Sequence, residues 1–254
     1  FQIQKITIKE GLDGDDICGR APTGSGKTLA FGIPLVVRTK AAKPRKPQSL
    51  ILAPTRELAE QICKELRAFS GKRIVSVVYG GVSYGPQRKA LAKGVDILVA
   101  CPGRLEDLIE QRELTLEDVK QVVIDEADRM ADMGFMPAVK RILDQTSKER
   151  QTILFSATLD HDVAKLKKHY QQNPVTREIG EKTPDIKNAD HTYAIAKKAE
   201  KPKLVAKAVN SSWPAIIFCR TRHGADRLVK QLKRLDIESE PIHGGKSQHQ
   251  RKRA

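Results

Sequence analysis

Val122-Val123-Ile124-Asp125-Glu126-Ala127-Asp128 decides how the rest of the chain is read. Three β-branched residues in a row read as a short strand buried on both faces, the habit of parallel sheets. Two acids at the end of such a strand fall in the crevice where open α/β sheets bind their ligands. A hard cation with phosphates needs carboxylates there, and an attacking water needs a base. The same four letters, Asp125 to Asp128, also read as a helix start, because acids are favoured in a first turn.

A stretch some ninety residues upstream resolves the choice. Ala21-Pro22-Thr23-Gly24-Ser25-Gly26-Lys27-Thr28 fits the phosphate-loop pattern G-x-x-x-x-G-K-[ST], with Ala21 in place of the first glycine. Gly24 and Gly26 can turn successive N–H groups toward one point, making an anion nest. Lys27 adds a point charge for β- and γ-phosphates, and the Thr28 hydroxyl suits Mg²⁺. Asp16-Ile17-Cys18-Gly19 reads as the preceding strand, and Leu29 to Val37 as a helix whose positive end faces the phosphates. The expected site is therefore a nucleotide site.

Working outward, strand and helix patterns alternate. Ser49–Ala53, Ile74–Tyr79, Val95–Ala100, Val122–Asp125 and Thr152–Phe155 read as strands, with helical patterns between them such as Thr55–Phe69. Such alternation predicts an α/β fold with a mostly parallel sheet. From about Val175 to Asp190 the sequence turns polar and loses apolar periodicity, which predicts a linker. The expected division is a first domain over 1–178, a linker over 179–190 and part of a second domain over 191–254. In the latter, strands are expected at Thr192–Ala196, Ala215–Cys219 and Ser239–Ile242, with helices at Lys201–Val209 and Gly224–Leu235.

The chain has 254 residues and a formal charge of +15, a field that attracts polyanions such as nucleic acid or an anionic membrane surface. No apolar run approaches the length of a membrane span, so no membrane partner is expected. Cys18, Cys63, Cys101 and Cys219 are scattered without a C-x-x-C pair, which reads as reduced thiols of a cytoplasmic protein. Aromatic residues make up only 4% of the chain, too few for base-stacking platforms to be the main nucleic-acid surface.

Read in order, Gln4, Ala21–Thr28, Pro54-Thr55-Arg56-Glu57-Leu58-Ala59, Gly80-Gly81, Pro102-Gly103-Arg104, Asp125–Asp128, Ser156-Ala157-Thr158 and Ile217-Phe218-Cys219-Arg220-Thr221 closely resemble the DEAD-box family of ATP-dependent RNA helicases, bacterial members in particular. The resemblance runs over essentially the whole chain. It implies two RecA-like domains that close over ATP·Mg²⁺ and RNA. Gln4 would read the adenine edge. Lys27 and Thr28 would serve the phosphates and Mg²⁺, Asp125 would hold Mg²⁺, and Glu126 would position and deprotonate the attacking water. Asp128 would bond to Ser156 and Thr158, coupling the nucleotide to the RNA face. The implied RNA contacts are Thr55, Arg56, Glu57, Gly80, Gly81, Pro102, Gly103 and Arg104, then Phe218, Arg220 and Thr221. Such backbone contacts carry no base information, so sequence-independent RNA binding is expected.

Two departures qualify the resemblance. Cys101 stands where the family usually has threonine, which removes one hydroxyl from the expected phosphate contacts. The family's fifth and sixth motifs, with their γ-phosphate arginines, have no counterpart up to Ala254, so this stretch by itself is expected to bind ATP weakly and hydrolyse it slowly. Three readings stay open from sequence: a monomeric RNA helicase with ribonucleoprotein partners, an ATP-gated RNA clamp or scaffold, and a DNA helicase or translocase.

Overall fold

The structure, a computed structural model, describes residues 1–180 and 190–254. The chain divides into two compact units, Phe1–Pro184 and Asp185–Ala254. Most of the expected linker lies outside the described residues.

The first unit is built on seven strands: β1 (Ile17–Arg20), β2 (Ser49–Leu52), β3 (Val75–Val78), β4 (Ile97–Ala100), β5 (Gln121–Ile124), β6 (Gln151–Ser156) and β7 (Val175–Glu178). They lie in the order β3-β4-β2-β5-β6-β1-β7, and every neighbouring pair is parallel. Parallel strands need crossovers, and the helical stretches supply them. These are α1 (Gln2–Lys5), α2 (Ile8–Asp13), α3 (Lys27–Arg38), α4 (Arg56–Phe69), α5 (Tyr84–Lys93), α6 (Pro102–Glu110), α7 (Ala127–Asp132), α8 (Met136–Asp144) and α9 (His161–Tyr170).

Side chains alternate across the sheet, so each central strand feeds two cores. Leu50, Leu52, Leu98, Val122, Ile124 and Leu154 pack on one face with Leu105 and Leu108 of α6, Ile142 of α8 and Leu166 of α9. Ile51, Ile97, Val99, Val123, Ile153 and Phe155 pack on the other with Phe31 and Leu35 of α3 and Ile62 and Leu66 of α4. This two-sided burial is why the central strands read as unbroken apolar runs. At roughly 25 cal/mol per Å² of apolar surface, each fully buried Leu or Ile contributes about 1.5–3 kcal/mol.

α1 and α2 are separated at Thr7, whose hydroxyl donates to the Ile3 carbonyl at 2.7 Å and offers the backbone a partner other than the next helical turn. One local expectation is corrected in this unit. Val175–Glu178, read as the start of a polar linker, is the edge strand β7. It pairs with β1 through its backbone and is tied by Arg20–Glu178 (2.9 Å) and Arg177–Glu10 (2.8 Å). An edge strand held this way needs no apolar run, so its composition is silent.

In the second unit, α10 (Lys201–Ser211), α11 (Arg222–Lys233) and α12 (Gln248–Arg253) form helices, and Ala206, Val209, Leu232 and Ile237 make a small core. The strands expected at Thr192–Ala196, Ala215–Cys219 and Ser239–Ile242 form no ladder among the described residues. A strand exists only by pairing and by covering a face. Here Ile195, Ile216, Phe218 and Ile242 lie exposed, so neither condition is met.

Candidate functional site

Every residue singled out in the first unit, Gln4 apart, follows the C-terminal end of a strand or begins the helix after it. The phosphate loop follows β1, Thr55 follows β2, Gly80 follows β3, Pro102 follows β4 and Asp125 follows β5, while Ser156 closes β6. The sheet order then sets distance. β3, β4 and β2 form one flank and β1 the other, with β5 and β6 between them. Ligand sites in open parallel sheets lie along this edge.

At the β1 flank, Gly24 and Gly26 take φ of 80° and 84°, the left-handed region that glycine enters without strain. Nothing lies within 4 Å of where a Gly24 side chain would begin, so the loop faces open space. Gly26 caps α3, and Lys27 is its first residue. The Lys27 ammonium is buried and donates to the Ala21 and Pro22 carbonyls at 3.1 and 3.0 Å. The Ser25 hydroxyl donates to the Pro22 carbonyl at 2.7 Å, Thr23 is exposed on the loop, and Thr28 is half-buried in the first turn of α3. Gln4 reaches this loop from α1, where its side-chain amide donates to the Gly26 carbonyl at 3.1 Å.

Asp125 is 3% exposed, and burial pushes its carboxyl up to about 6 against the opposing pull of the Lys27 ammonium. The neighbouring Glu126 adds to the rise. A desolvated carboxylate and a threonine hydroxyl on the adjoining loop are oxygen donors that fit Mg²⁺ better than a softer metal, and the Lys27 ammonium beside them suits the phosphates. Glu126 takes φ 51° and ψ 53°, a left-handed geometry that costs a non-glycine residue about 1–2 kcal/mol. Such outliers persist where surrounding contacts fix them. Here the Glu126 N–H donates to Asp125 at 3.0 Å, and Arg129 donates to the Glu126 carboxylate at 3.1 Å. The Arg129 contact was missed from sequence, because its i, i+3 spacing carries meaning only once α7 is known to start at Ala127.

Asp128 joins two strand ends. Its N–H donates to the Ser156 hydroxyl at 3.1 Å, and its carboxylate accepts from the N–H groups of Ala157 (3.1 Å) and Thr158 (3.0 Å) and from the Thr158 hydroxyl (3.3 Å). The two residues that the resemblance implies as partners of Asp128 meet it through different atoms: Ser156 serves its backbone N–H and Thr158 its carboxylate. Ser156 in turn accepts from Ala21 N–H through its carbonyl at 3.0 Å, linking the bridge to the phosphate loop.

The other flank gathers the remaining residues of the first unit. Thr55 caps α4 by accepting from Leu58 N–H at 3.3 Å, and Glu57 is exposed on its first turn. Gly81 takes φ 77°, and any side chain there would collide with the Arg56 guanidinium, so Arg56 lies across the loop that follows β3. Gly80 beside it borders open space. Gly103 is exposed, whereas Pro102 and Arg104 are buried. Cys101 caps α6 in position but makes no side-chain bond, and burial pushes its thiol up to about 12. In the second unit, Thr221 caps α11 by accepting from Gly224 N–H at 2.9 Å, and Phe218 and Arg220 are exposed.

Comparison with known proteins matches this geometry. Residues 1–166 fit the family model described as DEAD/DEAH box helicase. The chain is 40% identical over 265 residues to the DEAD-box ATP-dependent RNA helicase 3A, chloroplastic, of Zea mays, covering all of this chain and 35% of that protein. It is 39% identical over 257 residues to the DEAD-box ATP-dependent RNA helicase CshA of Streptococcus pneumoniae serotype 4, covering 99% of this chain and 48% of that one. The chain therefore spans between about a third and a half of the length of these relatives. Among solved structures, a DEAD box protein from the hyperthermophile Methanococcus jannaschii superposes with a TM-score of 0.66 at 32% identity, covering 99% of this chain and 68% of that one. With the parallel sheet, the phosphate loop and the acidic strand end all in register, the chain belongs to the DEAD/DEAH box helicase family.

Proposed function

We propose that this chain supplies the nucleotide site and an RNA-backbone site of an ATP-dependent RNA helicase, which hydrolyses ATP while locally opening or remodelling RNA. The Asp128 bridge carries the reading. It joins the acidic end of β5 to the end of β6, between the phosphate loop and the glycine-lined flank, so a change at one site strains the other.

Lys27 would exchange the Ala21 and Pro22 carbonyls for phosphate oxygens, and the N–H groups of the 21–28 loop would hold the β-phosphate at the start of α3. Thr28 and Asp125 would hold Mg²⁺, which when bound neutralises charge on the phosphates. Glu126, fixed by Asp125 and Arg129, would take the proton of the attacking water. Gln4, already bonded to the loop, would prefer adenine through its paired donor and acceptor. Thr55, Arg56, Glu57, Gly80, Gly81, Pro102, Gly103, Phe218, Arg220 and Thr221 would face RNA phosphates and sugars without reading bases, whereas Arg104 is buried. We further infer a monomer working on RNA or ribonucleoprotein in a reducing compartment, the cytoplasm, which suits four free cysteines. Among the described residues no helix is long and apolar enough to cross a membrane.

The test is coupling. A fluorescent ATP analogue with Mg²⁺ is titrated into the chain with and without single-stranded RNA. RNA is expected to tighten nucleotide binding about tenfold, while DNA of the same sequence leaves it unchanged. Asp128→Ala should still bind nucleotide and lose the RNA-dependent gain. Equal tightening by DNA would turn the reading toward a DNA translocase, and a full gain in Asp128→Ala would remove the bridge from the mechanism.

A further inference from the structure

Tyr84 and Gln87 are the residues of α5 that hold the Gly80–Ser83 loop. Gln87 is 7% exposed, and its carboxamide closes the loop like a clasp. It accepts from Tyr79 N–H at 3.1 Å and donates to the Ser83 carbonyl at 3.0 Å and the Tyr79 carbonyl at 3.4 Å. Both ends of the loop are thus fixed by one side chain.

The middle of the loop is fixed from α6. Arg104 donates to the Val82 carbonyl at 3.1 Å, and its guanidinium carbon lies 3.8 Å from the centre of the Tyr84 ring. Arg88 approaches the same ring at 5.3 Å. The Tyr84 hydroxyl donates to Asp107 at 3.0 Å, and Asp107 also lies 3.9 Å from Arg104. A guanidinium stacked on an aromatic face and flanked by a carboxylate is held in one orientation. Arg104 is itself 7% exposed, and its Nε and one terminal nitrogen are buried without a hydrogen-bond partner. A phosphate cannot reach those nitrogens unless the stack opens. Leaving two donors without hydrogen bonds is costly, and the Tyr84 ring face and the Asp107 carboxylate beside Nε offset part of that cost.

We propose that Tyr84 and Gln87 are positioning residues that preset the Gly80–Ser83 loop for RNA backbone, and that Arg104 acts as their tie to Val82 instead of as a phosphate ligand. The inference rests on the RNA reading above for its ligand, but not for the anchor itself. Preorganising a loop raises affinity by removing the ordering cost at binding, and the backbone of half-buried Gly80 and exposed Gly81 is what it presents.

Two measurements on the whole chain test this. The first is amide hydrogen exchange across Gly80–Ser83 without RNA, compared between wild type, Tyr84→Leu and Tyr84→Phe. The anchor predicts exchange at least tenfold faster in Tyr84→Leu and near wild type in Tyr84→Phe, because phenylalanine keeps the ring face. The second is binding of a labelled single-stranded RNA across a salt series. Tyr84→Leu should weaken binding about tenfold, Tyr84→Phe should restore it within about twofold, and unchanged binding of an ATP analogue serves as the control for the fold. Arg104→Gln should weaken binding with its salt slope unchanged, whereas removal of a true phosphate contact flattens that slope by about 0.7. Wild-type exchange in Tyr84→Leu overturns the anchor. A flattened slope in Arg104→Gln overturns the tie and restores Arg104 as a ligand. Faster exchange in a chain that binds no RNA supports the anchor and defeats the RNA reading instead.

Discussion

Tyr79 and Tyr170 show how single side chains fix the ends of elements. Tyr79, the residue before Gly80, donates its hydroxyl to Glu60 of α4, and Tyr170 closes α9 by donating to Asp144 of α8 at 3.0 Å. Burial first, then the carboxylate partner, pushes each phenol up to about 12. The sign follows: a phenol whose folded value lies above its ordinary value near 10 contributes stability that is complete below pH 10 and is lost as pH rises through about 12. An ultraviolet titration should therefore show a late-ionising component that loses amplitude in Tyr79→Phe and again in Tyr170→Phe. If neither substitution reduces the absorbance change above about pH 10 while the chain is still folded, these contacts are absent in solution. At this scale the sequence was an uneven guide. Lys27, Asp125 and Asp128 were legible because their chemistry is bound to a local pattern. The partners that orient the site, such as Arg129 on Glu126 and Arg104 on Tyr84, were not, since their meaning depends on which turn faces which.

Among the elements, β1 carries the tightest packing demand. Any side chain at Gly19 would enter the ring of Phe155 on β6, so only glycine lets β1 lie flat beside its neighbour. Gly19→Ala is expected to destabilise the chain by about 1–3 kcal/mol in urea unfolding. Combining it with Phe155→Leu should cost less than the two single changes added, because the smaller side chain makes room. Strictly additive costs would mean the two residues do not touch. The four strands buried along their whole length, β2, β4, β5 and β6, were readable because burial on both faces forces apolar runs. β7 was not, because backbone pairing and two ion pairs hold it without apolar residues. The second unit shows the converse. Its apolar segments were readable as strands, yet with no covered face they form no ladder among the described residues.

The whole molecule is basic, and the charge is uneven: residues 190–254 carry fifteen Lys and Arg against six Asp and Glu. RNA affinity should therefore fall linearly on a log–log plot against salt, with a slope of about −2 or steeper, and poly(A) and poly(U) should bind alike. A flat salt response, or strong preference for one homopolymer, would mean that bases carry the binding instead of phosphates. Sequence alone determined the fold class, the phosphate loop and the acidic strand end, because each is a local pattern in which burial or backbone geometry restricts the residue types. Only the tertiary structure decided what those residues do to one another. Strand order put β5 and β6 between the two flanks, and that order made Asp128 a bridge and left Arg104 buried behind the loop it supports. Strand order comes from long-range pairing, which no window of sequence contains.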